Sequence, residues 1–303
     1  MDLLNIERVQ KAKNEGITSM RENARNKNAA ITNKQNDVTK RNLEQLSGPG
    51  ASSWLSATPL KDEGFNLNKS EFQDALRLRY DKPLKNLPSK CPCGKPYDVT
   101  HAMNCHRGGF IDIRHNNVKT FEANLLRQVC NDVQLEPPLQ PTTGYTFHPS
   151  ANTSDNARLD VRAKGFWRPA QNAFLDVRVT NADCASQRGR SVKAILKTHE
   201  QTKKLEYNKR VMEVEHSTFT PIVLSIKGVM GKECQMFHKA LAQKIALKTG
   251  ERYEEVTRLI RVKLSFIVLK AALLCLRGSR TLNNDSLTKC EDYSYSLNEL
   301  RLG

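Results

Sequence analysis

Arg158-Leu159-Asp160-Val161-Arg162 and Ala173-Phe174-Leu175-Asp176-Val177-Arg178-Val179 are two short β-prone runs around a turn at Lys164-Gly165-Phe166-Trp167-Arg168-Pro169. Alternation of Val, Leu and Phe with polar residues is a strand signal, and the Gly and Pro between the runs predict a hairpin. Each run carries one aspartate among apolar neighbours. Aspartate is disfavoured inside strands, so two on paired strands need a reason. A shared Mg²⁺ (or Mn²⁺) is one, because hard carboxylate oxygens suit it. A solvated face with salt bridges to Arg158, Arg162 or Arg178 is the other. These residues alone leave both open.

The chain has 303 residues, enough for one large domain or two small ones. Its 48 Lys and Arg against 32 Asp and Glu give a net charge of +16, a balance suited to a polyanion, nucleic acid before an anionic membrane. Between Arg188 and Lys270 there are 18 basic and 8 acidic residues, so much of the positive field follows directly on the aspartate hairpin. Met1 to Lys40 is polar, and no secretory signal is expected. The apolar run from Val262 to Leu276 carries Lys263 and Lys270 and is too short to span a bilayer. Eight cysteines without a secretory signal favour a reducing compartment and metal binding over disulfides.

Residues 1–50 form a basic arm, helical or disordered, closed by Ser47-Gly48-Pro49-Gly50. A linker with a short helix follows over 51–90. Helical periodicity then runs from about Asn116 (Val118, Phe121, Leu125, Leu126, with Glu122 among them), and again from Ser191 to Glu215 and from Lys232 to Lys248. A buried strand is expected at Phe219 to Ile226. The order from Asn116 to Ile226 is helix, three strands, helix, strand, an α/β (α+β) core placed at 116–250. Helices and a tail fill 251–303.

Cys91, Cys93, His101 and Cys105 fall within 15 residues, with Gly94 and two prolines tightening the turn. Zinc takes such ligands tetrahedrally, and a closed set of four is structural. The first pair is Cys-x-Cys, less standard than Cys-x₂-Cys, and His106 is an alternative fourth ligand. The segment 91–115 is therefore expected to be a small zinc site.

That order, with Asp160 and Asp176 on its second and third strands, resembles the PD-(D/E)xK nuclease fold. The knuckle upstream, followed by Arg114-His115-Asn116, resembles the restriction-like endonuclease module at the C-terminal end of non-LTR retrotransposon polyproteins. Ser53-Trp54-Leu55 is similar to the segment between reverse transcriptase and knuckle in such proteins. The resemblance covers roughly residues 51 to 230 and implies a mixed sheet flanked by helices. It implies metal-dependent nicking of target DNA in the nucleus, with the element's RNA and a reverse transcriptase encoded upstream or elsewhere as further partners.

By position, Asp160 stands for the aspartate of PD and Asp176 for the acidic residue of (D/E)xK. Leu159 replaces the proline and Arg178 the lysine. An arginine can hold a phosphate but cannot act as a base. In the retrotransposon enzymes the lysine is displaced onto the following helix, which makes Lys203 and Lys204, with Tyr207 one turn on, the candidates. Glu122 or Glu136 could add a third carboxylate. Arg114, His115, Arg158 and Arg178 are candidate nucleic-acid contacts. No Tyr-x-Asp-Asp or Phe-x-Asp-Asp signature of a polymerase is present, so the chain is expected to be a detached portion of an element or a stand-alone descendant. The rival expectation is an inactive binding module of the same fold. An HNH-type nuclease using His115 and Asn116 is a third, opposed by their place at a helix start, where Asn caps.

Overall fold

The computed structural model describes residues 3–280. The chain forms two compact units, Met1–Glu44 and Gln45–Gly303. The first holds helix α1 (Leu3–Asn33), and helix α2 (Asp37–Leu46) runs across the boundary. α1 holds Ala, Lys, Arg and Glu, strong helix formers, along its length and has no proline. Its described side chains are almost all exposed. Within residues 1–50 the described elements up to Leu46 are these two helices. The tail from 281 onward lies outside the described residues.

In the second unit the linker folds into a 3₁₀ turn at Ser53–Ser56 and helix α3 (Lys69–Arg79). A capping box sets the start of α3: Asn68 accepts from the Glu71 N–H, and Glu71 accepts from the Asn68 N–H. Then come α4 (Val99–Asn104), α5 (Phe110–Arg127), β1 (Val133–Leu135), β2 (Val161–Lys164), β3 (Asn172–Thr180), α6 (Val192–Glu213), β4 (Thr218–Ser225), α7 (Lys232–Thr249) and α8 (Tyr253–Arg277).

The four strands form one mixed sheet in the order β1-β2-β3-β4. β1–β2 and β2–β3 are antiparallel, and β3–β4 is parallel. The Gly165 turn closes β2–β3 as a hairpin with Lys164 opposite Asn172. The parallel pair needs a crossover, and α6 supplies it. Side chains alternate along β3. Ala173, Leu175 and Val177 face a core built with α5, α7 and α8, and Phe174 faces Tyr207 and Val211 of α6. Each face of the sheet is thus covered by helices.

α8 is part of the fold and not an appendage. Leu264, Ile267 and Val268 enter the main core, Val262 and Phe266 pack with Trp54 and Phe65 of the linker, and Cys275 and Leu276 pack with Tyr97 and Met103 of the cysteine segment. No described helix is long and apolar enough to cross a membrane.

α5 begins at Phe110, six residues before the periodicity suggested. Gly109, at φ +68°, is its N-cap, so His115 and Asn116 lie in its second turn and do not cap it. Burial of Phe110 against α8 decides the start, a tertiary contact that overrides the local preference for an Asn cap.

Gly231 shows how tightly α7 is seated. The Glu200 carboxylate accepts a 2.8 Å hydrogen bond from the Glu233 N–H and so caps the helix start from α6. A Cβ on Gly231 would stand 2.8 Å from Glu200 Cδ and 3.3 Å from the Val223 carbonyl. Gly231→Ala is expected to cost about 2 kcal/mol, by displacing that cap. In a Glu200→Ala background the same change should cost clearly less. Equal losses in both backgrounds, measured by urea unfolding, would rule the clash out.

Candidate functional site

Cys91, Cys93, His101 and Cys105 converge, with their ligand atoms all within 4.8 Å of one another. Local geometry brings them in. Gly94 takes φ +86° in the turn between the first pair and the helix, and the Cys91 N–H donates to the Lys95 carbonyl at 2.9 Å. Asp98 caps α4 by accepting from the His101 N–H at 2.6 Å, which presents His101 and then Cys105 to the turn.

Two sulfurs about 2.3 Å from a tetrahedral zinc lie about 3.8 Å apart. Here Cys91 Sγ and Cys105 Sγ are 3.8 Å apart, Cys93 Sγ and Cys105 Sγ 4.0 Å, and Cys93 Sγ and His101 Nε2 3.4 Å. The cluster can hold a metal such as zinc. His106 is exposed and outside it.

The second centre is acidic and lies where β2 and β3 part. Their ladder ends at Val161 opposite Leu175. Asp160 immediately precedes β2, and its N–H still donates to the Leu175 carbonyl at 3.1 Å. Beyond that point the Asp160 side chain takes over from the backbone. Its Oδ2 accepts from the Val177 N–H at 2.6 Å, and its Oδ1 meets His115 Nε2 at 2.9 Å. An aspartate is thus kept in a strand end because its carboxylate satisfies a ladder N–H that would otherwise be buried unpaired.

Asp176 follows on β3, on the sheet face covered by α6. It is buried, 7% exposed, and Lys203 Nζ of α6 stands 2.9 Å from its Oδ2. Burial raises its pKa to about 6, against the pull of Lys203, and the charge of Asp160 adds to the rise. Burial alone would lower the Lys203 ammonium, but Asp176 and Glu206 raise it above its ordinary value. Lys203 also bridges to Glu206 at 3.3 Å and lies over the Tyr207 ring, 5.2 Å from its centre. Tyr207 is buried, its hydroxyl accepts from Asn152 at 3.1 Å, and burial raises its pKa, so it stays a phenol at neutral pH.

Glu136 joins through the backbone, its N–H donating to the Asp160 carbonyl at 2.9 Å. Its φ of +50° is rare for a non-glycine residue. Its carboxylate is hydrogen-bonded to Lys119, which holds it below the usual carboxylate range. Arg158 is exposed beside it and donates to the Glu136 carbonyl at 3.4 Å. Arg178, two residues beyond Asp176, lies near His199 of α6. Burial first, then Arg178 and Arg190, lowers the His199 pKa to about 4, so that ring is neutral at neutral pH.

Three expected site residues have other work. Glu122 is fully buried, and both its oxygens meet His238 Nε2, at 2.9 and 3.0 Å. Lys204 reaches Glu233 at 2.7 Å, on the neighbouring face of α6. Arg114 is 3% exposed and donates to the Met103 carbonyl at 3.2 Å, joining α5 to the cysteine segment, so it offers nothing to a phosphate. His115 points to Asp160 instead of outward.

Two residues that sequence reading passed over belong to the acidic site. Lys119 is four residues after His115 and Glu206 three after Lys203, so helical spacing alone puts each beside a candidate. A scan against protein-family models and a search of curated protein sequences each return no match.

Proposed function

We propose that this chain is a metal-dependent DNA endonuclease of the PD-(D/E)xK type, a restriction-like module of non-LTR retrotransposon origin with a structural zinc knuckle. One observation carries the reading. Asp160 and Asp176, sixteen residues apart in sequence, both lie at the split between β2 and β3, near enough for the charge of Asp160 to raise the Asp176 pKa, with Lys203 of the crossover helix 2.9 Å from Asp176. The strand order and directions suit that fold.

The donor set suits a hard divalent cation. Asp176 is a buried carboxylate whose charge is under-compensated and lies near a second carboxylate, and a divalent ion relieves both penalties. Asp160 and Asp176 would hold Mg²⁺ or Mn²⁺ by closing on the ion, since among the described residues only the cysteine cluster has three or more ligand atoms already converged and Glu136 is turned to Lys119. The chemistry a bound ion supplies is polarisation of the scissile phosphate and a lowered pKa for the attacking water.

Lys203 stays protonated, so it serves as a fixed positive charge for the phosphate oxygens and not as a base. Tyr207 supports it from below. Arg158 and Arg178, close in sequence to the two aspartates, would grip neighbouring phosphates, contacts that position a strand without reading its sequence.

The inactive binding module is the second reading. Every carboxylate of the site already has a protein partner: Lys203 for Asp176 and Glu206, His115 for Asp160, Lys119 for Glu136. Arginine also stands at the lysine position of the motif. Plasmid relaxation separates the two. Nicking that needs Mg²⁺ or Mn²⁺ and stops in EDTA is the expected result. Salt-dependent plasmid binding with no nicking would leave the binding module.

A further inference from the structure

The loop between β1 and β2 carries an aromatic pair that the acidic site does not use. Tyr145 is 45% exposed and Phe147 partly so. Their rings lie 6.0 Å apart with only 25° between their planes. Lys209 of α6 lies over Phe147, 5.7 Å from its centre, and donates to the Thr146 carbonyl at 2.8 Å.

This loop is held as a built surface. Arg210, 1% exposed, donates to the carbonyls of Asn152 at 2.6 Å, Ser154 at 3.0 Å and Gln140 at 2.8 Å. Three carbonyls on one guanidinium fix both ends of the loop against α6. Thr142 Oγ1 also donates to the Thr153 carbonyl at 3.3 Å and closes the base. The loop's far side joins the acidic site: the Asn152 N–H donates to the Glu206 carbonyl at 2.9 Å, and the Asn152 amide holds Tyr207, on which Lys203 rests.

The pair is an ordinary offset contact, but it leaves Tyr145 45% exposed next to the ring that Lys209 covers. Parallel aromatic faces with a cation beside them are the form in which proteins take unpaired nucleobases. Every base offers a π-face, and the cation meets the phosphate next to it. From Lys203 to Lys209 is six residues, about 9 Å along a helix axis and about a third of a turn around it, more than one nucleotide step of an extended strand. We propose that Tyr145 and Phe147 form a stacking platform for an unpaired base of single-stranded or locally opened DNA, one or two nucleotides from the phosphate at Asp176 and Lys203. The proposal rests on the nucleic-acid reading above and adds a preference of substrate: DNA with an unstacked base over a closed duplex.

The test is fluorescence anisotropy of the full chain with labelled oligo-dT and with its duplex with oligo-dA, over a range of KCl. A Tyr145→Ala, Phe147→Ala double variant is expected to bind oligo-dT roughly 5- to 100-fold more weakly. Its duplex affinity should change by less than about twofold, and the slope of affinity against salt should stay the same, because no phosphate contact is lost. Lys209→Ala should weaken both ligands and make the slope shallower by about one ion. Tyr145→Phe, which keeps the π-face, should bind oligo-dT as wild type does, whereas Tyr145→Ala alone should bind it more weakly. Circular dichroism confirms that each variant is folded.

A double variant that loses neither affinity, or loses both equally, overturns the platform and leaves the nuclease reading standing. A wild-type chain that binds neither oligonucleotide overturns both together.

Discussion

Asp176→Asn is expected to reduce metal-dependent nicking by about a hundred- to a thousandfold and, without added divalent cation, to change how stability depends on pH. The catalytic half follows from position. Asp176 is the carboxylate that Lys203 faces at 2.9 Å, and an amide carries no charge to hold a divalent cation or to orient the ammonium. Plasmid relaxation with Mg²⁺ reads it directly, and full activity in the variant would falsify the assignment.

The stability half comes from burial. Asp176 ionises near pH 6 in the folded chain against 3.8 in a model peptide. Between those values the unfolded aspartate is ionised and the folded one protonated. The folded state then binds more protons, so stability falls as pH rises across the window. Above about pH 6 both states are ionised, and the loss levels off. A rise of about two pKa units corresponds to about 3 kcal/mol. Lys203 stays protonated throughout, so losing its partner in the variant adds a constant offset and no slope. In buffer without added divalent cation, the stability of Asp176→Asn relative to wild type should therefore climb between about pH 4 and pH 6 and then flatten. A difference flat across that window, by urea unfolding, would contradict the burial argument. Adding Mg²⁺ should stabilise wild type and leave the variant unchanged.

How much of this was legible in the sequence depends on what each feature rests on. The order from α5 to β4 rests on local periodicity, and the period-2 runs around Asp160 and Asp176 and the apolar stripe of α6 are strong. The cysteine cluster rests on short spacing and was visible for the same reason. The choice between Lys203 and Lys204 was not. It depends on how α6 is rotated on the sheet, which Ile195, Leu196 and Val211 fix by burial. The 4-residue step to Tyr207 names the right face only once that rotation is known.

Glu122 and Arg114 carried a signal that was misweighted. Arg114 lies four residues from both Phe110 and Val118, and Glu122 four from Val118 and three from Leu125, so each sits on the buried stripe of α5. Polar residues there point to partners inside the fold, His238 and the Met103 carbonyl, before any ligand. The loop from Gln140 to Ser154 was illegible, because its shape comes from Arg210, seventy residues away in sequence at one contact.

Removing zinc should act on both centres, since one feeds the other. Three sulfurs and an imidazole within 4.8 Å are poorly placed without a cation, and the segment has little core of its own: Tyr97, Ala102 and Met103, docked on α8. The Tyr97 hydroxyl donates to the Leu276 carbonyl at 2.7 Å and accepts from Arg280 at 2.7 Å. α5 starts directly after this segment and carries His115 and Lys119, which hold Asp160 and Glu136. Loss of the metal should free the start of α5 and loosen both carboxylates. The purified chain is expected to hold about one zinc by elemental analysis, and a strong chelator, or Cys105→Ser, should lower the melting temperature by about 10 °C or more. Hydrogen exchange should rise first from Lys90 to Phe110 and at the end of α8, then at the start of α5, while β3 and β4 stay protected by the main core. A chelated chain that keeps its melting temperature, or one that loses protection uniformly, would mean that the cysteines do not staple this segment to the acidic site.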